Sequence, residues 1–236
     1  MTDTSRLALP LLAAAQAQKH VTVNEALMRL DGLVNLVLAS VTLATPPVTV
    51  LDGVCYGVPA GAVNEWSGHD GAIAIGSNGG WVFAVPEAGW RAYVSDAGVQ
   101  AIHSGLDWVT GALSLSSHGA GLKAGVSEVD HVLAAGTSST TVNLIPSHAM
   151  VIGVSARVVD PITGTLTSWK IGNTGATDRF GSGLGLSLGT WSKGMLGAPL
   201  TYWSGTPLVL TAVGGAFAGG TVRIAAHYLE ISLPSV

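Results

Sequence analysis

"GAIAIGSNGGWVFAV", Gly71 to Val85, is the stretch on which the reading of the chain turns. Two short apolar runs flank Asn78-Gly79, a dipeptide that readily takes two successive left-handed backbone conformations in a two-residue hairpin turn. Similar runs lie on both sides: "VTVLDGVCYGV" before it, "GWRAYVSD" and "VQAIHSGLDWV" after it, with Asp52-Gly53 and Asp70-Gly71 as further turn signals. Trp66, Trp81, Trp90 and Trp108 recur through the block, each beside a Gly or Ser turn or a strand end. Residues 46–112 are therefore expected to form a small tryptophan-rich β module.

Composition agrees with short strands joined by tight turns. The 236 residues include 32 glycines and 10 prolines, and only 10% are charged, which argues against charge-laced long helices and against a solvated disordered chain. The net charge of −4 comes without a basic stripe or aromatics interleaved with cations, so nucleic acid is not an expected partner. The single cysteine, Cys55, excludes an internal disulfide framework and a thiolate metal cage, and a buried inert thiol is expected. Mean hydropathy is high at +0.48. Yet the longest apolar stretch, "LVNLVLASVTLA" from Leu33 to Ala44, is interrupted by Asn35 and Ser40. It falls short of the about 20 residues that span a bilayer, so no membrane insertion is expected. High hydropathy without a span points to surface buried between subunits, a homo-oligomer.

Upstream, "LPLLAAAQAQKHVTVNEALMRLD" from Leu9 to Asp31 has two readings. Arg6, the apolar run and Ala15-Gln16-Ala17 imitate a secretory signal and its cleavage site, although Asp3 and Pro10 fit one poorly. The other reading is a retained arm. Thr22 and Glu25 have capping-box spacing, which predicts a helix beginning near Val23. Val23, Leu27, Leu30, Val34 and Val37 then follow at intervals of four, three, four and three, a coiled-coil seam of about two heptads. The same stripe also suits a single helix packed on its own domain, and Gly32 weakens the helix by about 1 kcal/mol relative to alanine. Residues 1–45 are read as an attachment and oligomerisation arm, with Leu7 to Leu43 as its working part.

Downstream, "SLSSHGAGLKAG" from Ser114 to Gly125 loses aromatics and gains Ser and Gly, so residues 113–129 are expected to be a linker. Then "TVNLIP", "MVIGVSARVV", "TSWKIG", "GLGLSLG", "LTYWSG", "PLVLTAVG" and "TVRIAAHYLEISLP" arrive at short intervals. About seven or eight strands at that spacing predict a β-sandwich of jelly-roll type over residues 130–236. The whole chain is thus mainly β: a short helical arm, the tryptophan-rich module and the sandwich.

A search for chemistry returns little. Dinucleotide-binding, P-loop, zinc-protease and nucleophile-elbow motifs are missing from the sequence. "GSGLGLSLG", Gly181 to Gly189, reads as a strand that lets another backbone approach rather than as a phosphate loop. The seven histidines, His20, His69, His103, His118, His131, His148 and His227, stand singly without metal-ligand spacing. Among carboxylates in aromatic surroundings are Glu65, Asp70, Asp96, Asp107 and Asp178, of which Asp70 and Asp107 suit turns. No catalytic residue, metal or cofactor is expected.

The most suggestive cluster lies in "SWKIGNTGATDRFGS", "TWSKG" and "TYWSG". Trp169, Trp191, Tyr202 and Trp203 flank turns beside Asn173, Asp178, Arg179 and Lys193. Flat rings stack on the apolar faces of sugars while amide, carboxylate and guanidinium groups fix the hydroxyls, so these eight residues are the candidate carbohydrate site. Core packing or subunit contacts would equally account for the rings, and Asp178 could pair with Arg179.

"LPLLAAAQAQKHVTVNEALMRLDGLVN", "DGVCYGVPAGAVNEWSGHDGAIAI" and "GWVFAVPEAGWRAYV" resemble an uncharacterised family encoded among structural genes of alphaproteobacterial prophages and gene transfer agents. The ending, with "TDRFGSGLGLSLG" and "VRIAAHYLE", resembles the C-terminal part of its members. The resemblance implies a head spike or fibre of a phage-like particle, assembled in the cytoplasm and released from the cell, whose β domains meet capsular polysaccharide. It implies no site residues. A retained arm follows, because such particles leave by lysis. The partners expected are other virion proteins through the arm, host cell-surface polysaccharide, and further copies of the chain as a trimer or pentamer. A spike-base or tail connector that touches no sugar is the alternative reading, and a polysaccharide depolymerase, with two carboxyl groups about 5–9.5 Å apart, is a third.

Overall fold

The computed structural model describes residues 3–12 and 19–234 of the chain. The Ala15-Gln16-Ala17 triplet lies outside them. The chain divides into unit 1, residues 1–123 with 232–236, and unit 2, residues 124–231. Strands dominate both, as the sequence predicts.

Unit 1 opens with the one long helix among the described residues, α1 (Lys19–Leu33). Its strands are β1 (Val37–Leu38), β2 (Cys55–Gly57), β3 (Ile73–Ser77), β4 (Gly80–Ala84), β5 (Arg91–Val94), β6 (Val99–His103), β7 (Trp108–Thr110) and β8 (Ala112–Leu115). The first seven form one sheet in the order β4-β3-β2-β1-β5-β6-β7. Asn78 and Gly79 join β3 to β4 with φ of 51° and 75°, and Ser77 pairs with Gly80. That is the two-residue hairpin the sequence announces.

The sheet is covered on both faces. Ile73 and Ile75 point to one side, into a cluster with Leu36, Leu38 and Cys55; Ala74 points to the other, into a cluster with Val58 and Trp66. Trp66 is fully buried, its ring centroid 5.2 Å from Trp81 and 5.3 Å from Tyr56. Cys55 is buried, as expected, and burial lifts its thiol to about 11, which disfavours the reactive thiolate.

The arm expected over residues 1–45 is built into this unit. β1 lies in the middle of the sheet, parallel to β2 and β5, and Leu38 has no exposed surface. The helix already includes Lys19, upstream of the start expected near Val23, so Thr22 and Glu25 fall inside it, and Glu25 pairs with Arg29 at 2.9 Å instead of closing a capping box. Its buried face carries Met28, Asp31 and Gly32. Gly32 is explained by proximity: a Cβ there would stand 2.9 Å from Ile75 of β3. The seam is shorter than its spacing promised. Val23 and Leu30 are exposed helical residues and Leu27 is half-buried, but Asn35 turns left-handed (φ 49°) and ends the helix, leaving Val34 and Val37 outside it.

Residues 3–12 fold back onto α1. The fully buried Asp31 carboxylate accepts from Thr4 Oγ1 (2.7 Å), the Arg6 amide (3.0 Å) and the Leu7 amide (2.6 Å). The Arg6 guanidinium donates to the carbonyls of Asp31, Gly32 and Asn35, satisfying acceptors that the helix end would leave unpaired. Asn24 exchanges two hydrogen bonds with the backbone of Leu12.

The stretch expected to be a linker, 113–129, holds β8 and most of β9 (Gly121–Val132), and the division between the units falls inside β9. A single turn separates the two strands, with the Gly119 amide donating to the Ser116 carbonyl. The Ser and Gly that suggested a linker belong to a hairpin.

Unit 2 continues with β10 (Ser138–Ile145), β11 (Ala149–Gly164), β12 (Ser168–Asn173), β13 (Ala176–Leu184), β14 (Trp191–Tyr202), β15 (Thr206–Val213) and β16 (Phe217–Ser232). One sheet runs β14-β11-β16-β9 and the other β10-β15-β12-β13. Counted from β9, these orders are 6-3-8-1 and 2-7-4-5, the strand arrangement of a jelly roll. Between the sheets lie Val151, Val154, Ile171, Leu208, Leu210 and Ile224 with Trp169 and Phe180. The glycine-rich run 181–189 is only partly strand: β13 stops at Leu184, Leu186 packs on the core, and Leu188 is exposed.

Candidate functional site

The outer face of the β14-β11-β16-β9 sheet carries an unusual set of side chains. Alternation places Val154, Ala156, Val158, Val222 and Ile224 in the core and turns their neighbours outward. Pairing then sets the outward residues side by side. Arg157 of β11 lies opposite Trp191 of β14 and Arg223 of β16, and Ser155 lies opposite Lys193 and Ala225. With Glu128 of β9 these residues line a groove of about 280 Å³. A neighbouring groove of about 340 Å³ shares Ser155 and Lys193 and adds Ile152, Met195 and His227.

The groove's charges are unequally matched. Arg223 donates to both carboxylate oxygens of Asp130 at 2.7 Å, which holds the Asp130 carboxyl below its ordinary range and raises the arginine's own proton affinity. Arg157 and Lys193 form no ion pair among the described residues. Ser155 Oγ and His227 Nε2 are 2.9 Å apart. Among the described residues no carboxylate orients the other ring nitrogen, so this pair lacks the third member of a catalytic triad. Trp191 is 58% exposed, its ring free to receive a flat apolar face.

The eight residues expected to form one carbohydrate site divide among several places. Trp191 and Lys193 stand together in the groove. Trp203, 75% exposed, lies beyond the end of β14 in a T-shaped contact with His148, centroids 5.9 Å apart. Asn173 and Arg179 belong to β12 and β13 of the other sheet, where Arg179 Nε donates to Asn173 Oδ1 at 2.9 Å. Arg179 is thus joined to Asn173 rather than to Asp178, which is exposed. Trp169 and Tyr202 are core residues. Trp169 is fully buried and donates from Nε1 to the Gly185 carbonyl at 2.7 Å. Tyr202 is 8% exposed, and burial raises its hydroxyl's pKa. Both point inward because alternation on their strands leaves them no outward position.

Sequence reasoning missed Arg157, Arg223, Glu128, Ser155 and His227. A signal for three of them exists: in "MVIGVSARVV" and "TVRIAAHYLE" the polar Ser155, Arg157 and Arg223 interrupt apolar alternation, which places each on the outward face of its strand. Turn-flanking aromatics drew attention instead. Unit 1 offers a different cleft, about 390 Å³, lined by Pro46, Pro47, Val48, Trp81 and Phe83 with a carboxylate, Glu65, and no cation. Among the described residues, no three His, Cys, Asp or Glu stand together to hold a metal ion, and no helix is long and apolar enough to cross a membrane.

Residues 23–109, within unit 1, match a family described as a protein of unknown function (DUF2793). No curated protein matches the chain significantly. Among solved structures the chain is weakly similar to a chain of the cyanophage Pam1 capsid asymmetric unit, with 23% identity and a TM-score of 0.36 over 50% of this chain and 92% of that one.

Proposed function

We propose that the chain is a structural component of a phage-like particle, a head spike or fibre, whose jelly roll binds host cell-surface polysaccharide through the outer face of the β14-β11-β16-β9 sheet. The observation that carries the sugar-binding part is the exposed Trp191 ring, set directly opposite Arg157 with Lys193 beside it in an open groove. An apolar wall with a few polar groups is what a saccharide needs. The particle role is supported by the resemblance to prophage and gene-transfer-agent structural proteins. Attachment to other virion proteins, and association with further copies as a trimer or pentamer, falls to unit 1, where Val23 and Leu30 offer apolar surface on α1. Many copies on one particle make individually weak sugar contacts effective by avidity. The particle is assembled in the cytoplasm and acts outside the cell after release.

Binding rather than hydrolysis fits the groove's chemistry. Arg223 occupies both oxygens of Asp130, so that carboxylate is tied up in an ion pair rather than free to act beside Glu128 as the second carboxyl group a glycosidase needs. A depolymerase would also release fragments from capsule, which incubation and chromatography would reveal. The rival reading is a connector that touches protein only, favoured by the exposed Met195 and Ile152 beside the groove. Binding of purified full-length protein to encapsulated and capsule-free cells separates the two. Capsule-dependent binding supports the adhesin, whereas equal signals on both cell types support the connector.

A further inference from the structure

The charges of the groove specify the ligand further, on the assumption that the polysaccharide reading holds. Cross-strand pairing puts Arg157 directly opposite Arg223, and like charges facing each other on a sheet are unfavourable. Asp130 relieves only Arg223, through both of its oxygens. Arg157 and Lys193 remain unpaired beside an exposed indole in a chain whose net charge is −4. Glu128, the groove's own carboxylate, and Asp130 face three cations, Arg157, Lys193 and Arg223, so the groove keeps a net positive charge complementary to an anion.

We propose that the groove takes an acidic sugar unit, its ring face on the Trp191 indole and its carboxylate between Arg157 and Lys193, so that the polysaccharide recognised is a uronic-acid type rather than a neutral glycan. The division of labour is chemical. The indole accepts any pyranose face, while a guanidinium and an ammonium distinguish a carboxylate from a hydroxymethyl or an ester by charge-assisted hydrogen bonds. Ser155 and His227, already joined to each other, supply polar contacts for hydroxyls.

The test titrates the full chain with polygalacturonate and with its methyl ester, which keeps the backbone and removes the charge. The expected result is binding to polygalacturonate tighter by roughly tenfold or more, a preference erased in Arg157→Gln and Lys193→Gln and kept in Lys170→Gln on the opposite sheet. Trp191→Ala should weaken binding to both polymers. Equal affinity for the two polymers, failure to bind either, or an undiminished preference in Arg157→Gln would overturn the proposal. So would binding of polyglutamate, a polyanion without rings, as tight as that of polygalacturonate. Parallel assays on encapsulated and capsule-free cells keep the two readings apart. Capsule-dependent binding with no preference for the acidic polymer overturns the acidic ligand and leaves the adhesin. A clear preference for polygalacturonate without capsule dependence does the reverse.

Discussion

Trp66 in unit 1 and Trp191 in unit 2 are each followed by a serine, yet one is sealed in a cluster of rings and the other stands 58% exposed over a groove. Unit 1 builds from strands of two to five residues and fills both sides of its sheet, so large aromatic rings supply burial that short strands cannot. Unit 2 has strands of up to sixteen residues, and its core is closed mainly by aliphatic side chains from two sheets, with Trp169, Phe180, Tyr202 and Phe217 among them. Its outward positions are released for contact. Residue type alone does not tell core from surface in such a chain; strand length and the number of buried sheet faces do.

The strongest way to break this comparison is to treat the tryptophans alike. Trp66→Ala and Trp169→Ala should each destabilise their unit by about 3–5 kcal/mol in denaturant titrations, the usual cost of truncating a buried large aromatic. Trp191→Ala should change stability by less than about 0.5 kcal/mol. A stability loss at Trp191 comparable to that at Trp169 would mean that its ring is a packing residue.

A second prediction concerns the fold-back of residues 3–12. Asp31→Ala removes the acceptor shared by Thr4, Arg6 and Leu7 and should cost about 2–4 kcal/mol, because it orphans donors in a buried setting. Hydrogen exchange should show the Arg6 and Leu7 amides losing protection. Unchanged protection would show that other contacts hold the segment.

Acid should separate the units further. Burial lowers the pKa of His103 in unit 1 and of His131 in unit 2 below 6.5. The unfolded chain therefore binds protons more readily, and the stability these neutral rings contribute is complete above about pH 6.5 and is lost as the pH falls toward their folded values. His103 Nδ1 accepts from the Gly105 amide at 3.2 Å and must give up that bond on protonation. His131 meets the Ser139 hydroxyl at 2.8 Å, which also serves as an acceptor for a charged ring. Unit 1 should thus weaken more between pH 7.5 and 5, read as hydrogen exchange in β6 against β10, and His103→Gln should remove most of the difference. Asp130 titrates in more acidic solution, since Arg223 lowers its pKa from an already low value.

The smallest effect on folding is expected at the helix surface. Leu30→Asp replaces an exposed side chain and should leave stability within about 0.5 kcal/mol while lowering the mass measured by light scattering. An unchanged mass would remove α1 from the subunit contact.

Local turn chemistry was readable in most places, the Ser and Gly between β8 and β9, read as a linker, being an exception. Asn78-Gly79 gives its hairpin directly, and the turn residues of unit 2 mark out strands that assemble as a jelly roll. Two kinds of information were hidden. Long-range pairing decides that Val37 and Leu38 enter the centre of a sheet, and nothing local distinguishes them from the end of a helical seam except Asn35, whose short polar side chain tolerates the left-handed turn. The groove was hidden for the same reason. Trp191 and Lys193 could be seen as neighbours on one strand, but Arg157 and Arg223 join them only through register between strands 34 and 66 residues distant from Arg157. Trp169 and Tyr202 misled because a ring next to a turn reads as exposed, whereas the inward side of each strand end is still core.

The most direct test of the account is binding of the full-length protein to encapsulated cells, with capsule-free cells as reference, for the wild type, Trp191→Ala and Trp203→Ala. The account predicts capsule-dependent binding that Trp191→Ala loses and Trp203→Ala, away from the groove, retains. Binding that survives in Trp191→Ala, or that ignores the capsule, would contradict it.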